Sequence, residues 1–307
     1  MRVTHLCSFA LLLGATQLAA QQRTVAERLG HPRDAKLLII HGDDLGVSHS
    51  VDSASFAALD RGAITSVSAM IPTPWISEVA AYARAHPQAD IGLHLTLTSE
   101  WTTYRWGSVA SSDQVRTLLD SAGTFYRDVE PLATKARPEE VERELRAQVE
   151  RALALGIRPT HLDSHMGALY FSTPELLAAG EKVAREYKVP FLAVRNFGRG
   201  PAVVVGLDDV AFDAVVIATE EVPRERWQQW YLDVIRNLKP GLTELIVHLG
   251  FNDSELRAVM GDQNAWAAAW RQRDYDVVSS PEFRKALADN KVILVTWRDL
   301  QRLRPRP

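Results

Sequence analysis

The sequence predicts an α/β fold with a largely parallel sheet, open or closed into a barrel. Three observations carry that expectation. Short apolar runs bounded by turn residues alternate along the chain with segments of helical period. The strongest run, Leu37-Leu38-Ile39-Ile40, shows no polar alternation, as expected of a strand buried on both faces. It leads straight into Asp43-Asp44 and Gly46, and other unusual polar residues fall at comparable strand ends, the face on which parallel α/β folds place their chemistry.

Composition sets the outer limits. The 307 residues are 46% hydrophobic and 24% charged, ordinary for a globular chain and long enough for one large α/β domain. A net charge of −3 gives no basis for a nucleic-acid partner or an anionic membrane surface. Arg2, the apolar stretch Leu6 to Ala20 and the small pair Ala19-Ala20 read as a signal peptide over residues 1–20, too short for a membrane span. The expectation is export to a periplasm or beyond, with one folded domain over residues 35–305. Cys7, the only cysteine, lies in the leader, so the mature chain is expected to hold no disulfide and no thiol nucleophile.

The elements follow in order. Ser50 to Asp60 is helical in pattern, with Val51, Phe56 and Leu59 as its stripe and Gly62 to close it. Ser66 to Ile71 is strand-like, and Trp75 to His86 is a helix stopped by Pro87. Asp90 to Leu97 is the third strand, with His94 among apolar neighbours. Thr98 to Lys135 breaks the rhythm and carries Trp101, Tyr104, Trp106, Phe125 and Tyr126. Two readings stay open there: a binding loop whose aromatic faces stack on sugar rings, or a loop folded onto its own hydrophobic cluster. Pro138 to Leu155 is the clearest helix, opened by Pro138, Glu139 and Glu140 and closed by Gly156. Pro159 to His165 is a short strand and its exit. Ser172-Thr173-Pro174-Glu175 predicts a capping box for a helix reaching Tyr187. Val189 to Val194 is a strand followed by Arg195; Ala202 to Gly206 and Val215 to Ile217 are weaker candidates. Arg224 to Leu238 is helical, Glu244 to His248 is a strand followed by Gly250, and Pro281 to Ala288 is a helix. Val292 to Val295 is a last strand, with a short helix from Trp297.

On that layout the strand ends carry Asp43 and Asp44, His94, His161 with Asp163 and His165, and His248. Each has an ordinary structural reading: a helix N-cap, a core histidine, a polar turn, a hydrogen bond to backbone. Four separate strand ends each bearing a titratable group is a coincidence those readings do not explain. Adjacent carboxylates repel unless a cation or a proton is shared. Oxygen and imidazole donors together suit zinc, nickel, cobalt or manganese, and three protein ligands with open positions is the catalytic pattern.

The segments Asp43-Asp44-Leu45-Gly46, Gly92-Leu93-His94-Leu95, Thr160-His161-Leu162-Asp163-Ser164-His165 and Val247-His248-Leu249-Gly250 resemble, in order and spacing, the YdjC-like carbohydrate deacetylase family, from about Leu37 to the C-terminus. The resemblance implies an incomplete or distorted (β/α) barrel with one divalent metal ion (zinc, magnesium or another transition metal). It implies removal of acetyl groups from N-acetylated sugars or oligosaccharides; a hopanoid-linked branch of the family acts on a glycolipid-type sugar. By motif it implies Asp44, His94 and His165 as metal ligands, Asp43 as general base, and His248 as general acid or the group that orients it. Three departures bear on the rim of the site. His41-Gly42 stands where the family usually has Asn-Ala, Met166-Gly167-Ala168 replaces further histidines, and Leu249 replaces a proline. Arg195, just past a strand end, is a candidate substrate-binding residue, with a surface ion pair as the alternative.

Two other functions remain open. A glycoside hydrolase needs two carboxylates roughly 5–9.5 Å apart and leaves the histidines idle. A non-catalytic periplasmic metal- or sugar-binding protein explains the leader and the aromatic loop without a base. No Gly-x-Ser-x-Gly elbow points to a serine hydrolase. The sequence assigns no role to His41 or His161 and does not fix the sugar, the metal or the oligomeric state; a homodimer is compatible with it.

Overall fold

Leu37, Leu38, Ile39 and Ile40 are fully buried at the centre of the main sheet, as an unbroken apolar run demands. The computed structural model describes residues 23–194, 210–261 and 265–303. The expected leader with Cys7, Arg195 and the strand expected over Ala202 to Gly206 lie outside the described residues. The strands, in chain order, are β1 (Lys36–Leu45), β2 (Ser66–Ala69), β3 (Ile91–Leu95), β4 (Leu162–Ser164), β5 (Ala193–Val194), β6 (Ala211–Phe212), β7 (Ala214–Ile217), β8 (Gly241–Val247) and β9 (Val292–Leu294).

The main sheet runs β4-β3-β2-β1-β8-β7, and every pairing in it is parallel. Two strands divide one edge of β1: Lys36, Leu37 and Leu38 pair with β9, whereas His41, Gly42 and Leu45 pair with β2. The small β5–β6 sheet spans the remaining side. Leu162 N donates to Pro190 O at 2.7 Å and Leu192 N to Leu162 O at 2.9 Å, tying the β5 segment to β4. Asp213 N donates to Leu242 O at 2.8 Å, tying the β6–β7 corner to β8. The parallel sheet thus curls round on itself as an incomplete (β/α) barrel. Parallel connections place all strand C-termini on one face, so β1, β3, β4 and β8 deliver their final residues to one place. No helix among the described residues is long and apolar enough to cross a membrane.

The helix Pro138–Ala154 shows how the outer layer holds the loops. It buries Val141, Leu145, Val149 and Ala152 on one stripe, together with Glu144 and Gln148. Those two polar residues are spent on the chain after β3. Glu144 accepts from the amides of Val109 and Ala110, and Gln148 exchanges hydrogen bonds with both backbone groups of Thr96. The segment 98–135 is therefore ordered, with two short 3-10 turns and a helix over Val129–Lys135. Trp101, Trp106 and Phe125 are buried, and the Trp106 indole donates to Thr98 O. The self-packed reading of this loop holds for these three rings.

Two expectations about helices need correction. Thr173 alone caps the helix Pro174–Glu186, accepting from Leu176 N; with Thr173 as N-cap the third helical position is Leu176, so Glu175 closes no box. The helices Ser254–Met260 and Ala268–Val278 were not expected. The second turns Arg271 and Asp274 inward, so its buried face lacks the apolar stripe that reveals a helix in sequence.

Gly92 on β3 has a tertiary reason. A Cβ there would fall 2.3 Å from His161 Cε1, and the His161 ring is stacked at 4.5 Å on Trp297. The ring has nowhere to retreat, so Gly92→Ala is expected to lower stability in urea unfolding by about 1–3 kcal/mol, the usual cost of overpacking. An unchanged midpoint would show that the layer of rings beneath the site gives way freely.

Candidate metal centre

Successive residues of a regular strand point to opposite faces, yet Asp43 and Asp44 serve one site. The backbone explains this. The β1–β2 register shifts between Gly42 and Leu45, and Asp44 lies in the left-handed region at φ 70°, a conformation Asp tolerates better than most residues. Neither carboxylate caps the next helix: Ser48 does, accepting from Val51 N at 3.2 Å. That disposes of the capping explanation for the acidic pair.

The histidines arrive from neighbouring strand ends. His94 on β3 sits opposite Asp163 on β4, and its Nδ1 lies 2.7 Å from Asp163 Oδ1. His94 Nε2 is then free to face Asp44 Oδ1 at 3.5 Å and Asp43 Oδ2 at 3.8 Å. His165 follows β4 directly. Its Nε2 is held by Glu100 Oε2 at 2.9 Å, and its Nδ1 lies 3.2 Å from Asp44 Oδ1. Each imidazole is thus oriented through one nitrogen by a carboxylate and presents the other, the usual second-layer support of a metal-bound histidine.

Arg271, 2% exposed, donates from Nη2 to Asp44 Oδ2 at 2.7 Å and from Nε to Trp266 O at 2.8 Å. Asp44 Oδ1 is buried and makes no hydrogen bond. One oxygen of Asp44 is therefore committed and the other is an orphaned acceptor facing two ring nitrogens. Asp44, His94 and His165 bring their ligand atoms within 4.8 Å of one another, all three buried. Two other buried groupings meet the same spacing, His41–His161–Asp163 and Asp43–His94–Asp163. Both rely on Asp163, whose oxygens already serve His94 Nδ1 and His41 Nε2. The first also holds partnerless buried nitrogens, His41 Nδ1 and His161 Nε2, but its carboxylate is already committed; the Asp44 trio sets an orphaned carboxylate oxygen against two ring nitrogens that face it, a donor set that suits a divalent cation.

The electrostatics agree. Burial on its own would lower the His165 pKa, but Glu100 and Asp44 push it up to about 10. His94 is raised against the same burial by Asp163 and Asp43. Burial works to raise Asp44, and Arg271 with His165 holds it well below the usual carboxylate range. Positive charge, whether proton or cation, is drawn to the space between these groups.

Asp43 is close to the trio but held differently. Its Oδ1 accepts from Ser68 Oγ at 3.3 Å and lies 3.0 Å from His41 Nε2. Its Oδ2 faces His248 Nε2 at 3.9 Å. His248 follows β8; its backbone N–H donates to Asp274 Oδ2 at 3.0 Å, and Asp274 is fixed in turn by Trp227 Nε1 and Tyr231 OH. Burial pushes His248 down to about 4, with Arg271 adding to the effect against the pull of Asp44, so the ring is neutral near pH 7. Asp43, Asp44, His94, His165, His248 and Arg271 line one cavity of about 950 Å³, with Trp101 and Trp266 on its wall.

The structure thus brings together five of the six site residues expected from sequence; the sixth, Arg195, lies outside the described residues. The sequence reading missed Arg271 and Glu100, and it gave Asp163 no part in orienting His94. Arg271 stands 227 residues from its partner, on the helix with no apolar stripe, so only the fold exposes it.

Residues 37–289 match the model of the YdjC-like protein family. Over 281 residues the chain is 34% identical to a carbohydrate deacetylase of Thermus thermophilus, covering 89% of this chain and 96% of that protein. It is 29% identical over 269 residues to a carbohydrate deacetylase of Brevibacillus brevis, covering 86% and 99% respectively. Among solved structures, a protein of Enterococcus faecalis crystallised as a candidate cellobiose-phosphate cleavage protein aligns with a TM-score of 0.71 at 26% identity, covering 87% of this chain and 99% of that one.

The Arg271–Asp44 pair yields a direct prediction. Removing one partner of a buried pair leaves an uncompensated charge, so Arg271→Met is expected to cost about 3–5 kcal/mol in denaturant unfolding of metal-free protein. A cost below ~1 kcal/mol, the worth of an exposed pair, would mean that the neighbouring histidines neutralise Asp44 without the arginine.

Proposed function

The chain belongs to the YdjC-like family, and from that premise we propose that it is a metal-dependent carbohydrate deacetylase. It is a hydrolase that takes acetyl groups from N-acetylated sugars or oligosaccharides, leaving acetate and a free amine. One observation carries the reading: a carboxylate outside the buried Asp44–His94–His165 trio, Asp43, faces the same space. A site that only bound a cation or a sugar gives no reason for that extra carboxylate.

Asp44 Oδ1, His94 Nε2 and His165 Nδ1 would hold the ion. When bound, a divalent ion such as zinc or magnesium lowers the pKa of water and polarises the acetyl carbonyl. Asp43 takes the proton of the attacking water; its Oδ1 is held by Ser68 and His41, which leaves Oδ2 for the transfer. His248 is the group placed to protonate the leaving nitrogen, the general-acid role that imidazole fills elsewhere. Because His248 rests as neutral imidazole, the proton it gives has to reach it during the turnover. The 3.9 Å between His248 Nε2 and Asp43 Oδ2 makes Asp43 the nearest source. Arg271 keeps Asp44 ionised, and the partly exposed Trp266 offers flat apolar surface to a sugar ring.

The same distances speak against glycoside hydrolysis. Both carboxylates lie within 4.0 Å of His248 Nε2 and within 3.8 Å of His94 Nε2. They attend one point and do not flank a bond. Export completes the proposal, with residues 1–20 removed.

Four outcomes test it. Chelation of the metal is expected to abolish acetate release from N-acetylated chitooligosaccharides, and alanine at Asp44, His94 or His165 is expected to lower metal content by elemental analysis. A fully metallated His94→Ala protein would sink the ligand set. Asp43→Asn is expected to keep its metal and lose about 10²–10⁴-fold in acetate release, the usual worth of a general base; a rate near wild type would remove Asp43 from that role. Mass spectrometry of secreted or periplasmic material is expected to find an N-terminus near Gln21, and an intact Met1 there would refute export by cleavage.

A further inference from the structure

His41 lies beneath the site, is fully buried, and touches no reacting atom in the chemistry above. Its Nε2 lies 3.1 Å from Asp163 Oδ2, 3.1 Å from Ser68 Oγ and 3.0 Å from Asp43 Oδ1. Its Nδ1 has no hydrogen-bond partner. Two of the three atoms around Nε2 are carboxylate oxygens, which only accept, so the proton belongs on Nε2. We propose that His41 is a positioning residue whose single Nε2–H ties the proposed base, Asp43, to Asp163, the carboxylate that orients the proposed ligand His94.

The geometry gives the two arms of this tie. One arm is direct: His41 Nε2–H to Asp163 Oδ2, with Asp163 Oδ1 on His94 Nδ1 at 2.7 Å. The other runs through Ser68, which accepts from His41 and donates to Asp43 Oδ1 at 3.3 Å, in parallel with the 3.0 Å approach of His41 itself. Asp43 and Asp163 are 6% and 5% exposed, so water does not screen their mutual repulsion. A donor shared by the two offsets that repulsion and fixes their separation. With Oδ1 of Asp43 held from below, Oδ2 stays aimed at the proposed water and at His248. Other charged or titratable groups near His41 are Glu244 from β8 and His161, the residue just before β4, whose ring lies 5.0 Å away, edge to face.

This inference rests on the deacetylase reading for its kinetic test but not for its spectroscopic one. Glutamine places an amide N–H about where histidine places Nε2; leucine fills a similar volume with no donor. His41→Leu is expected to keep its metal and its KM while kcat falls about 10²-fold, the scale of a small misplacement of a reacting group. His41→Gln is expected to restore kcat to within an order of magnitude of wild type. Equal losses in both variants, a loss confined to KM, a loss of metal, or an unimpaired His41→Leu enzyme would each overturn the proposal. Independently of activity, metal-free protein labelled with ¹⁵N-histidine is expected to show a slowly exchanging Nε2–H that disappears in His41→Gln. Its shift should move in both Asp43→Asn and Asp163→Asn. A signal that responds to only one carboxylate, or no protected proton at all, would refute the tie. This arm also decides the matter if His41→Leu does not fold. Should the wild-type protein release no acetate from any N-acetylated sugar, the deacetylase reading fails, and the proton signal alone decides the role of His41.

Discussion

Two carboxylates on consecutive residues, 6% and 3% exposed, end the central strand of the barrel. Burying one such charge without compensation costs several kcal/mol; burying two side by side adds their repulsion. The surrounding residues read as answers to that demand. Arg271 takes one oxygen of Asp44, Ser68 and His41 take one oxygen of Asp43, and His94 and His165 approach the oxygens that remain. A second tier repeats the logic, with Asp163 behind His94 and Glu100 behind His165. The acidic pair is tolerable only because cationic and donor groups from β2, β3, β4 and a late helix converge on it.

The fold supplies that convergence cheaply. Parallel strands bring their C-termini to one face whatever the residues are, so the site needs only the right side chain at each end. The irregular step comes at β1 itself. There the register shift and the left-handed Asp44 turn two neighbours to one side, a local cost of the kind that concentrates at functional sites.

Much of this was legible beforehand. Leu37 to Ile40 could be read as a central strand because a short apolar run bounded by turn signals suits a doubly buried position. Asp43, Asp44, His94, His165 and His248 could be placed together because parallel topology converts separate strand ends into one surface. The aromatic segment 98–135 left two readings open, since aromatic rings serve sugar stacking and self-packing alike; burial of Trp101, Trp106 and Phe125 settles their packing. Arg271 and Glu100 were not legible. A charged residue on a helix normally faces water, and nothing local marks the one that points inward to a partner 227 positions away. His41 was visible as a residue but not as a bridge, because its meaning lies in the spacing of oxygens from β1, β2 and β4.

The distance in sequence between Asp44 and Arg271 also orders events in time. The carboxylate is made 227 residues before its guanidinium, and until Arg271 is in place the end of β1 lacks the permanent counter-charge that offsets its burial. A chain cut short before the helix Ala268–Val278 would retain every residue of the proposed metal trio and still lack the charge that lets it close.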